Sequence, residues 1–98
     1  MRLDEIKKIA EPACKEFGVD RLYVFGSTVR GTRTITSDLD FLVEFKNPSD
    51  QPAKRFFGLL HRLEDSFKCK VDLLTQSGLK NPYFKRHVHA EMVIVYEG

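Results

Sequence analysis

The sequence predicts an α+β fold with one mixed β-sheet and helices packed on it. Three observations carry that expectation. Short runs of β-forming residues alternate with helical stretches whose apolar positions recur every three to four residues. The order, helix–strand–turn–strand–helix–strand–helix–strand, mixes a short connection with helical crossovers, so parallel and antiparallel pairings should share one sheet. Ninety-eight residues without repeats, low-complexity tracts or internal linkers make a single domain over residues 1–98.

Leu3, Ile6, Ile9, Ala13 and Phe17 recur at helical spacing, which predicts an amphipathic helix over residues 3–17. Asp4 and Glu5 suit its first turn and Gly18 its C-terminal cap. Pro12 falls inside and lacks an N–H, so a kink or break is expected near residues 8–12. RLYVF, residues 21–25, is rich in β-formers and ends at Gly26, which predicts a strand. Residues 27–31 could form a short helical turn, and 32–37 read as loop. The next strand spans 39–45, with Phe41 and Val43 on one face and Asp40, Leu42 and Glu44 on the other.

Residues 46–50, KNPSD, form a turn cluster. Pro52 opens a second helix reaching about Phe67, its buried stripe being Phe56, Leu59, Leu60, Leu63 and Phe67. KVDLL, residues 70–74, is a short strand, apolar apart from Asp72, and 75–80 is a polar loop. Asn81 followed by Pro82 has the chemistry of an N-cap and first helical residue, predicting a helix to about Glu91. MVIVY, residues 92–96, reads as the final strand.

Composition narrows the function classes. At 42% hydrophobic and 31% charged the chain is ordinary for a globular protein. A net charge of +2, with 16 basic residues interleaved among 14 acidic ones, does not indicate direct nucleic-acid binding. No apolar run approaches membrane-spanning length, and MRLDEIKK is amphipathic rather than a signal peptide. Cys14 and Cys69 fit no metal spacing, so a reduced, cytoplasmic setting is expected.

The chemistry concentrates in GSTVRGTRTITSDLDFLVE, residues 26–44. A glycine turn after a strand lets backbone N–H groups approach a phosphate, which nominates Gly26 and Ser27. Arg30 could clamp phosphate oxygens bidentately, although a solvated arginine is the commoner case. Asp38 and Asp40, at i and i+2 on a strand, point to the same face roughly 6.6 Å apart. A lone D-x-D is more often a turn cap beside a solvent-facing aspartate. Here the strand is otherwise apolar, and Asp72 sits inside a second apolar run. A carboxylate in a buried-type strand is costly unless paired, protonated or metal-bound. If the strand of Asp72 lies beside that of Asp38 and Asp40, three acids converge, and a hard divalent cation, Mg²⁺ or Mn²⁺ in its place, would offset their repulsion.

Gly26-Ser27, ten residues, then Asp38-Leu39-Asp40 resembles the G-S-x(10)-D-x-D signature of the DNA polymerase β-like nucleotidyltransferase superfamily. The wider text, FGSTVRG, SDLDFLVEF and VDLLT, resembles the minimal nucleotidyltransferases of bacteria and archaea across essentially the whole chain. That resemblance implies a polymerase β palm-like fold. It implies that Gly26 and Ser27 bind a nucleotide triphosphate. Asp38 and Asp40 would coordinate divalent metal, and Asp72 would complete the metal site and assist acceptor deprotonation. The implied activity is transfer of AMP from ATP to a hydroxyl. The implied partner is an all-helical HEPN-type toxin, this chain being the antitoxin that AMPylates a toxin tyrosine, in a homo-oligomer or a hetero-oligomer with the toxin. A non-catalytic antitoxin and an aminoglycoside-type enzyme are the alternatives.

Other features have plainer readings. His87 and His89, at i and i+2 on a helix, do not share a face and make a poor metal pair. Arg55 and His61 match the R-x(5)-H spacing of HEPN ribonucleases by chance, because those domains are all-helical. Phe56-Phe57 reads as one core and one exposed aromatic rather than a platform for stacking a base. Lys7-Lys8 and Lys85-Arg86 read as solvated helix faces.

Overall fold

Alternation along the strands decides how the chain folds on itself. The computed structural model describes residues 2–26 and 39–98. Its elements are α1 (Leu3–Glu16), β1 (Val19–Phe25), β2 (Leu39–Phe45), α2 (Pro52–Phe67), β3 (Val71–Thr75), a 3₁₀ turn (Gln76–Gly78), α3 (Pro82–Glu91) and β4 (Val93–Glu97). The four strands form one mixed sheet in the order β3-β2-β1-β4. β1 pairs antiparallel with β2 and β4, whereas β2 and β3, joined by the α2 crossover, run parallel.

Leu39, Phe41 and Val43 project to one face of the sheet and meet Ile6, Ala10, Ala13 and Cys14 of α1 and Leu59, Leu63 and Phe67 of α2. This is the principal core, and both helices contribute their apolar stripes to it. On the opposite face Phe25 and Leu42 pack with Leu79 and Val88 in a smaller cluster. Val88 is the one buried residue of α3.

Several expectations hold at the atomic level. Asn81 caps α3, its Oδ1 accepting from the N–H groups of Tyr83 (2.9 Å) and Phe84 (3.2 Å), with Pro82 in the first turn. Gly18, at φ +67°, reverses the chain after α1. Phe56 is half-buried and Phe57 is 55% exposed.

The predicted break at Pro12 does not occur: α1 runs continuously through it. Pro12 and Lys8 both lie on the exposed face, so the Lys8 carbonyl deprived of its N–H partner can turn to water. β1 starts at Val19, two residues earlier than predicted, because Val19 pairs with Phe45 across a bulge before Arg21.

Arg55 closes the end of the sheet farthest from Asp40. Its guanidinium donates to the carbonyls of Phe17 (3.0 Å), Gly18 (2.9 Å), Lys46 (2.6 Å), Asn47 (2.8 Å) and Asp50 (3.0 Å). It also lies 4.7 Å from the centroid of the Phe45 ring. One planar fork thus joins the end of α1 to the turn after β2.

Candidate active site

β1 ends on a glycine for two local reasons. Gly26 has φ +76°, in the left-handed region where a Cβ crowds the backbone. A Cβ built there would also overlap Oδ2 of Asp40 and lie 3.3 Å from its Cγ. The carboxylate of Asp40 therefore lies against the backbone of the turn that follows β1. The strand register produces this contact, because Asp40 stands opposite Phe25, the residue before Gly26.

The parallel pairing of β2 and β3 places Asp40 directly beside Asp72. Register partners on neighbouring strands project to the same face, with strands roughly 4.8 Å apart. The two carboxylates therefore share one face at one end of the sheet, next to Gly26. Asp40 is half-buried and Asp72 is exposed. The exposure corrects an expectation. VDLLT alternates, with Val71 and Leu73 buried and Asp72 facing outward, so no burial penalty acts on its carboxylate. Convergence with Asp40 comes from the register instead.

Ser27, Arg30 and Asp38 lie outside the described residues. Among the described residues no group of three His, Cys, Asp or Glu side chains could by itself hold a metal ion. The donor set that is present, two side-by-side carboxylates with one of them open to solvent, suits a hard divalent cation that takes oxygen ligands.

The other titratable residues stand apart. His61 lies 3.8 Å from Glu64 and His87 3.3 Å from Glu91, each on its own helix. Nε2 of His89 is 3.0 Å from Oε1 of Gln76. Cys14 is buried in the core, and burial, helped by Glu11, pushes its thiol pKa up to about 12. The R-x(5)-H spacing has a structural explanation, since Arg55 is committed to carbonyl oxygens and His61 is exposed. Phe84 was legible only as a first-turn residue of a capped helix. The structure packs its ring in a T-shaped contact against Phe25, the register partner of Asp40, with centroids 6.5 Å apart.

Comparison with known proteins decides the family. The nucleotidyltransferase domain family matches residues 6–95. The chain belongs to this family. Protein adenylyltransferase MntA of Thermococcus cleftensis is 40% identical over 86 residues, covering 83% of this chain and 84% of that protein. A solved structure named "putative minimal nucleotidyltransferase" superposes with a TM-score of 0.76 at 30% identity, covering 95% of each chain. A Shewanella oneidensis structure, a tri-AMPylated HEPN toxin in complex with MNT antitoxin, shares the fold, with a TM-score of 0.68. It is 14% identical and covers 99% of this chain and 74% of that one. The chain is thus a nucleotidyltransferase of the minimal type, with the α+β fold its sequence predicts. No described helix is long and apolar enough to cross a membrane.

Proposed function

We propose that this protein transfers AMP from ATP to a hydroxyl acceptor in an Mg²⁺-dependent reaction. We further propose that it is the antitoxin of a HEPN-type toxin, whose tyrosine is the acceptor. The observation that carries the chemistry is the side-by-side placement of Asp40 and Asp72 against Gly26. Gly26 and Ser27 offer backbone N–H groups to the triphosphate, and Arg30 adds a charged donor. Asp38 and Asp40 would hold a divalent cation, Mg²⁺ or Mn²⁺, with Asp72 completing the set. When bound, that cation neutralises phosphate charge and draws nucleophile and phosphate together.

The acceptor oxygen bonds to the α-phosphorus while the bond from that phosphorus to the bridging oxygen breaks. Pyrophosphate leaves, and the hydroxyl proton passes to Asp72. The exposure of Asp72 supports this role, because a base must be reachable by an acceptor that arrives from outside. Half-burial of Asp40 suits a group held in a fixed orientation beside the phosphate turn. The 40% identity to an MntA adenylyltransferase supports AMP as the transferred group. The shared fold of the Shewanella antitoxin supports the partner, and a cytoplasmic location follows from such a partnership.

The test combines the protein, Mg²⁺, labelled ATP and the product of the adjacent reading frame, the expected toxin. Label should appear on a toxin tyrosine and be lost with Asp38→Asn and Asp40→Asn. Absence of transfer, or equal transfer by the variants, would refute the catalytic reading. Neutralisation of the toxin by the double variant would instead favour an antitoxin that acts by binding alone.

A further inference from the structure

The chain carries two aromatic doublets, Phe56-Phe57 and Tyr83-Phe84, and the fold sends them to opposite ends of the sheet. Phe57 stacks edge-on to Phe56, with centroids 5.3 Å apart. Phe56 lines an apolar cleft of about 380 Å³ with Phe45, Pro48, Pro52 and Thr75, at the end of the sheet where β2 finishes. Tyr83 and Phe84 open α3 at the other end, where β1 finishes and β2 begins.

Phe84 is 44% exposed although it is apolar, and Tyr83 is 79% exposed. The Phe84 ring meets that of Phe25 in a T-shaped contact at an interplanar angle of 73°. Phe25 is 5% exposed and is fixed in the sheet opposite Asp40, immediately before the Gly26 turn. One residue therefore links an immobilised aromatic to the carboxylate and the turn assigned to the phosphates. The cap of Asn81 on the N–H of Phe84 fixes the backbone from which that ring projects.

We propose that Phe84 is the stacking surface for the nucleobase of the bound nucleotide, an inference that rests on the nucleotidyl-transfer reading above. A triphosphate seated at Gly26 with its α-phosphorus near Asp40 and Asp72 must project its nucleoside out of the carboxylate end of the sheet. Phe84 presents an exposed aromatic surface at that end of the fold, against Phe25 and so on the same sheet face as Asp40. Stacking on an aromatic ring is tolerant of base identity, since every base has a π-face. This ring alone would therefore add affinity for any nucleoside triphosphate over bare triphosphate, with little preference among the four bases.

The protein has no tryptophan, which supplies a direct readout. Phe84→Trp would carry the sole indole, and Mg²⁺-ATP should quench its emission while inorganic tripolyphosphate with Mg²⁺ should not. By calorimetry, Phe84→Ala should bind ATP about 5- to 150-fold more weakly, the range for loss of one base–aromatic stack, with tripolyphosphate affinity unchanged. Phe57→Ala, at an exposed aromatic at the far end, should leave both affinities unchanged. Thermal melting of each variant separates lost stacking from lost folding. Equal weakening of ATP and tripolyphosphate by Phe84→Ala, or none at all, overturns the proposal, as does a Phe84→Trp signal that ignores ATP. If the wild-type protein binds neither ligand, the failure belongs to the nucleotide reading and takes this inference with it. If Asp40→Asn weakens both ligands while Phe84→Ala weakens neither, the stacking role alone is wrong.

Discussion

Gly26→Ala is the substitution on which backbone and site make the same demand. The left-handed φ of +76° costs an L-residue roughly 1–2 kcal/mol. The new methyl also meets the carboxylate of Asp40, with Cγ at 3.3 Å and Cβ at 3.6 Å from it. Asp40 cannot back away as a whole, because β2 is paired on both sides, through Phe25 and through Asp72. Its side chain must rotate instead, at a cost of order 0.5–1.5 kcal/mol if it leaves its rotamer well. Against this, alanine restricts the unfolded chain and returns roughly 0.4–1 kcal/mol.

The net destabilisation is thus about 0.5–3 kcal/mol, readable as a lower urea midpoint with unchanged slope. Activity should suffer far more. A carboxylate displaced by about 1 Å from a positioned reaction centre costs on the order of 100-fold. Urea unfolding followed by circular dichroism, beside AMP transfer from labelled ATP, separates the two effects. Gly78→Ala is the reference, since its added Cβ would sit 3.4 Å from Oγ1 of Thr75 and Gly78 carries no positive φ. The reasoning fails if Gly26→Ala matches wild type in both stability and transfer. It fails equally if the loss of activity is no larger than the unfolded fraction explains.

Three further outcomes follow from the packing. Arg55→Ala should cost about 2–4 kcal/mol in urea unfolding, because five carbonyls lose a charged donor. Arg55→Lys should recover less than half of that, a point charge being no substitute for the planar fork; full recovery would contradict this account. Gly58→Ala should lower the melting temperature although alanine favours helix by about 1 kcal/mol, since its methyl would enter the Phe17 ring and overpacking costs roughly 1–3 kcal/mol. Cys14 keeps its proton in the folded state up to a pKa of about 12, whereas the unfolded thiol ionises near 9.0. Cys14 should therefore contribute a decline in stability as pH rises from about 9 toward 12, and Cys14→Ala should show a correspondingly shallower slope. At pH 8 a thiol reagent should leave Cys14 unmodified until the protein is denatured.

Local chemistry made much of this protein legible as sequence. Asn81-Pro82 announces the start of α3, Gly18 the end of α1, and the alternation of Phe41 and Val43 with Asp40 and Leu42 the two faces of β2. These signals are local because caps, positive φ and side-chain period are properties of a few neighbouring residues. The spacing of Gly26, Ser27, Asp38 and Asp40 likewise pointed to the family that residues 6–95 match. Pro12 misled, because its effect depends on whether the freed carbonyl faces water, which is a property of the packed helix.

What only the tertiary structure decided is which residues meet. Asp72 looks buried in a run of apolar letters, yet the sheet turns it outward. Its place beside Asp40 follows from a parallel register set by the α2 crossover and the core beneath it, thirty-two residues along the chain. The same holds for Arg55, whose five carbonyl partners come from two separate segments, and for Phe84, brought to Phe25 by burial of Val88. Sequence carries the period of each element. Pairing between distant elements is fixed only when apolar surface is buried and the backbone ladders close in one register.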